Sequence, residues 1–232
     1  MYMNSEYMIY MIIAGAMSLI GAFVSNRLKS KFKKYSQVPV SSGLSGAEIA
    51  REMLKYYGIG NVQIVRGQGY LTDHYNPKSK TVSLSPEVYD GRSVASAAVA
   101  AHECGHAVQH DTAYSMLQMR SALVPVVQVA ASAQQWLLML SLFMLSSFPQ
   151  LLLITIIAFS VTTLFSLITL PVEFDASKRA LNWLESSNIT HGKEQEGAKD
   201  ALNWAAMTYV AAALSALVML LYLILRYAGS RN

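Results

Sequence analysis

The sequence predicts a mainly α-helical membrane protein, with about four transmembrane helices and a small α+β domain. Three observations carry that reading. Of the 232 residues, 53% are hydrophobic, and the charges cluster, leaving uncharged runs at 7–26, 121–172 and 201–225. Between the first two runs, the apolar spacing changes from helical to alternating, with turn residues at the changes. That intervening stretch then closes on an alanine-rich segment containing H-E-x-x-H. The net charge of +4 does not indicate a nucleic-acid partner. It fits cationic flanks on membrane spans, so the lipid bilayer is the first partner expected.

Taken in order, residues 7–26 are long enough to cross a bilayer. A cleaved signal peptide is disfavoured, because the residues before this run include Glu6 and no basic residue. The basic cluster Arg27, Lys29, Lys31, Lys33 and Lys34 follows the run. The positive-inside rule therefore places the N-terminus outside and residue 27 onward in the cytoplasm. Residues 35–43 read as a linker. A helix is expected from Ser45, whose pairing with Glu48 forms a capping box, to a stop at Gly58. NVQIVR (61–66), GQGYLT (67–72) and TVSLS (81–85) read as short strands, the last two joined by a turn at Asn76-Pro77. Pro86 opens a short helix, and Ser93 caps a longer one over 93–110. The uncharged run from Ser121 to Val172 suits two spans, at 124–146 and 151–171, turning at SSFPQ (146–150). Residues 173–200 form one or two helices broken near Ser186–Gly192, and 201–225 is a last span. The expected division is thus 1–26 (first span), 27–120 (cytoplasmic domain), 121–172 (hairpin), 173–200 (cytoplasmic helical segment) and 201–232 (last span and tail). On this topology every Lys and Arg except Arg226 and Arg231 is cytoplasmic.

In the motif, His102 and His106 lie one turn apart on one helix face, roughly 6 Å along the axis. Two imidazoles so placed can share a metal ion, and zinc (Zn2+) is the usual occupant. Glu103 stands beside them, where it can act as general base on a water acidified by the metal. Cys104, the single cysteine, excludes an intrachain disulfide and points off the ligand face, as a packed thiol.

A catalytic zinc takes three protein ligands. The metzincin position holds Thr112, and His110 lies roughly 12 Å along the helix from His102. Asp111 is at the wrong distance and face. Glu173 is the first glutamate after the motif, where the hairpin returns the chain. It is either the third ligand or an interfacial carboxylate paired with Lys178 or Arg179. Asp175 could hold a ligand histidine's second N–H only if 171–175 is not regular helix. His74 and Tyr75 either donate to a developing oxyanion or stabilise their turn. His191 reads as a solvated loop residue.

The run LTDHYNPKSKTVSLSPEVYDGRSVASAAVAAHECGHAVQ, with PVEFDASKRAL downstream, resembles the YugP-type neutral zinc metallopeptidases of bacterial membranes, which are similar in outline to the HtpX and CAAX-prenyl endoprotease group. The resemblance implies a zincin-like cytoplasmic metalloprotease domain with a gluzincin-type site: His102, His106 and Glu173 as ligands and Glu103 as base. In the HtpX-like pattern an Asp follows the glutamate by four residues. Here that position is Ser177, and the Asp is Asp175. The resemblance also implies that TVSLS is the edge strand on which a peptide substrate pairs.

The function expected is a zinc-dependent endopeptidase of the cell membrane acting on polypeptides, membrane proteins among them. Intramembrane cleavage would need the motif helix in lipid, and 93–110 is polar for that. A zinc-stabilised scaffold without chemistry is the remaining alternative. Oligomeric state and regulatory partners are not written in the sequence.

Overall fold

The computed structural model describes residues 5–144 and 148–229. Four long helices dominate: α1 (Ser5–Ser36), α5 (Ser115–Phe143), α6 (Pro149–Ser186) and α7 (Lys193–Gly229). All four contain a stretch long and apolar enough to cross a membrane. Residues 145–147, which overlap the turn expected at 146–150, and Arg231 lie outside the described residues.

The chain forms two compact units. One comprises Met1–Val24, Met119–Leu170 and Thr208–Asn232. Its outward side chains are large and apolar, among them Leu19, Val129, Trp136 and Leu225, which suits lipid as the surrounding medium. A small cluster of Leu152, Phe159, Tyr222 and Leu223 packs within it.

The other unit comprises Ser25–Gln118 and Pro171–Met207. Here α2 (Gly46–Tyr56) starts where expected: Ser45 Oγ accepts from Glu48 N, and the Glu48 carboxylate accepts from Ser45 N at 2.7 Å. The capping box and the Arg92 guanidinium hold the Glu48 carboxyl below its ordinary range. The helix closes with Ile59 N donating to Leu54 O, Gly58 taking the left-handed φ of 71° that the turn requires. Its buried face, Ile49, Ala50, Met53 and Leu54, joins a core with Val82, Leu84, Val88, Trp183 and Leu184.

The sheet corrects two expectations. GQGYLT (67–72) is not a strand, because Gly69 (φ 90°) and Leu71 (φ 56°) turn the backbone out of extended conformation. The strand after β1 (Gln63–Arg66) is instead β2 (His74–Asn76), inside the stretch read as a turn. Asp73 anchors its start by accepting from Ser85 N at 2.7 Å, and Asn76 ends it by accepting from Lys78 N. β3 (Thr81–Leu84) then runs antiparallel to β2 and parallel to β1, in the order β1-β3-β2. TVSLS is therefore the central strand, not an edge.

After α3 (Pro86–Tyr89), α4 (Val94–Asp111) begins at its cap, Ser93 Oγ accepting from Ser96 N. Pro171 lies inside α6 without ending it, and the helix runs on to Ser186.

Candidate metal centre

The alanines of α4 leave almost no side-chain volume around its axis, so the helix is buried nearly throughout Val94–Gln109. Gly105 completes this. A Cβ there would lie 2.6 Å from Ala176 O on α6, so its absence admits the α6 backbone between the two histidines. That approach brings Glu173, 2% exposed, onto the same spot.

His102, His106 and Glu173 each offer one ligand atom, all within 4.8 Å of one another. His102 Nε2 and His106 Nε2 stand 3.4 and 3.6 Å from Glu173 Oε2. A tetrahedral zinc with bonds near 2.0–2.1 Å separates its ligand atoms by about 3.4 Å. Two imidazoles and a carboxylate at that spacing fit zinc in both geometry and donor chemistry. Arg179, one of the two cations expected as alternative partners of Glu173, pairs with Asp175 at 2.6 Å.

Each histidine is braced through its other nitrogen. His102 Nδ1 meets Ser177 Oγ at 3.1 Å, and His106 Nδ1 meets Gln109 Oε1 at 3.0 Å. Asp175 bonds to neither histidine. Because α6 stays helical through 171–175, its carboxylate faces Gln109 Nε2 at 2.8 Å and Arg179 Nε at 2.6 Å. Sequence reasoning missed Gln109 altogether. The available signal was its place three residues after His106, on the same helix face. Ser177 was legible only as the residue standing where the related pattern has Asp.

Glu103 is buried on α4. Burial pushes the Asp73 carboxyl up, hydrogen bonds from Ser85 oppose this, and the charge of Glu103 adds to the rise. Burial pushes His106 down, but the carboxylates of Glu173 and Glu103 outweigh it and the net direction is up. Cys104 does not belong to the triad; its Sγ lies 3.6 Å from Ala50 O, and burial drives its thiol far up. His74 and Tyr75 stand outside the triad. The His74 ring meets Thr72 O at 2.8 Å, and Tyr75 Oη meets His110 Nδ1 at 2.7 Å. His191 is exposed, in the break between α6 and α7.

Residues 8–228 match the family described as "Putative neutral zinc metallopeptidase". The chain is also 43% identical over 206 residues to "Putative membrane protease YugP" of Bacillus subtilis (strain 168), covering 89% of this chain and 91% of the relative. No solved structure matches. With a family match across nearly its whole length, a triad spaced for zinc and four helices fit to cross a membrane, the chain belongs to this neutral zinc metallopeptidase family.

Proposed function

We propose that the chain is a membrane-embedded, zinc-dependent endopeptidase in which His102, His106 and Glu173 hold the metal and Glu103 is the general base. The observation that carries this is the spacing of the three donor atoms, set at a coordination edge and braced from behind. Zinc bound there supplies Lewis-acid polarisation of the scissile carbonyl and acidifies a water. Glu103, one residue from the first ligand, takes the proton that the attacking water loses and returns it to the departing amine. A gluzincin-type, zincin-like unit built from 27–120 and 173–200 is the reading that fits these roles.

The polypeptide substrate extends along β2. This strand is an edge of the sheet and packs on α4, with Tyr75 bonded to His110, whereas β3 has both neighbours filled. The site faces the cytoplasm with the N-terminus outside, because the Lys and Arg residues concentrate on that side of the expected spans. Intramembrane cleavage gains no support: α4 is not among the four apolar helices, and it packs in a core with α2 and the sheet.

The test is Glu103→Gln in the full-length protein. Zinc content stays at the wild-type level, while hydrolysis of an unfolded polypeptide falls by about 10²–10⁴-fold. Wild-type activity in the variant, or wild-type protein that binds no zinc, overturns the proposal.

A further inference from the structure

Gln109 is fully buried, and its amide is held on three sides. Nε2 donates to Val172 O and to Asp175 Oδ2, both at 2.8 Å, and Oε1 faces His106 Nδ1 at 3.0 Å. A primary amide has two N–H donors and one carbonyl acceptor. Both donors are committed to groups that can only accept. The reversed amide would set its oxygen against a carbonyl and a carboxylate, and its NH₂ against His106. One orientation alone satisfies every partner, so Oε1 faces His106 and the imidazole proton resides on Nδ1. The lone pair is then on Nε2, the atom beside Glu173 Oε2.

His102 has no such lock. Its Nδ1 meets the Ser177 hydroxyl, which rotates to donate or accept and so fits either tautomer. The other end of the Gln109 bridge is equally specific. Val172 is the residue before Glu173, and Asp175 is itself gripped by Arg179.

We propose that Gln109 is the positioning residue of the metal centre: a single side chain that fixes the tautomer of His106 and clamps the turn of α6 that presents Glu173. It sets two of the three ligands, one on each helix. This rests on the reading of the triad as a zinc site, and it assigns to Gln109 the bracing that a carboxylate bonded directly to the second histidine would otherwise give.

Zinc affinity is measured on the full-length protein in detergent by competition with a fluorescent chelator, for wild type, Gln109→Met and Ser177→Ala. Cobalt-substituted absorption spectra and the melting temperature of the zinc-free protein are recorded alongside. Gln109→Met keeps the volume but removes all three hydrogen bonds. It weakens zinc binding by about 10–100-fold and alters the cobalt spectrum, while Ser177→Ala has the smaller effect. A Gln109→Met protein that melts earlier but binds zinc as tightly as wild type reduces the residue to a structural role and overturns the inference. Should that variant not fold, Gln109→Asn takes its place. It keeps a buried amide one methylene too short to span His106 and Val172, so it must also weaken zinc binding, and unchanged affinity overturns the inference. Wild-type protein that binds no zinc instead refutes the proposed function on which this rests.

Discussion

In the unit formed by 1–24, 119–170 and 208–232, most hydroxyl side chains turn back onto their own helices, with Thr155 and Thr162 of α6 also reaching Leu137 O and Gln134 Oε1 on α5. Ser160 donates to Ile156 O, Ser166 to Thr162 O, Thr169 to Phe165 O and Ser215 to Ala211 O, all at 2.8–2.9 Å. In the other unit the polar groups reach across the sequence. Gln109 bonds to Val172, 63 residues away, Ser177 meets His102, Asp73 holds Ser85, and Lys31 pairs with Asp200 at 2.6 Å. A hydroxyl in apolar surroundings takes the nearest acceptor, the carbonyl one turn back, and such a bond fixes nothing between helices. The site-bearing unit spends its polar groups on long-range bonds that specify positions. Substitutions in the two units should therefore have unequal effects.

The largest effect is expected where backbones touch. Gly105→Ala places a methyl against Ala176 O, forcing α4 and α6 apart. It should cost about 1–3 kcal/mol in thermal unfolding and lower zinc content as well. A variant as stable as wild type would break the claim that close helix approach builds the site. Next comes Ser45→Ala, which removes half of the capping box on α2. A loss of about 1 kcal/mol is expected, with zinc affinity unchanged, since the cap supports the core without touching the triad. The smallest effect belongs to the other unit. Thr162 bonds across to Gln134 Oε1 at 3.2 Å and back to its own helix, so Thr162→Val should cost about 0.6 kcal/mol or less. A loss larger than that of Gly105→Ala would reverse the comparison.

How legible each part was follows from how local its cause is. The capping box, the Pro86 start and the H-E-x-x-H pair each depend on residues within one turn, so spacing alone placed them. Glu173 could be reached by elimination, because few acidic residues lie near. The strand order could not be reached, since alternation marks a strand but not its neighbours, and TVSLS proved central. β2 lay hidden in a turn-like stretch because its start depends on the Asp73–Ser85 bond across the sheet. Asp175 was expected to need an irregular backbone after Pro171. The helix continues instead, and the carboxylate acts on Gln109.

Helical spacing and hydropathy by themselves determined the four apolar rods seen among the described residues, a small mixed unit and a pair of histidines spaced to share a metal ion, because each is written in the period or spacing of consecutive residues. Only the tertiary structure decided which backbone Gly105 would admit, what braces each histidine and which strand is left at an edge. Those outcomes depend on contacts between residues far apart in the chain, where packing space and unsatisfied hydrogen-bonding groups, not local propensity, select the partner.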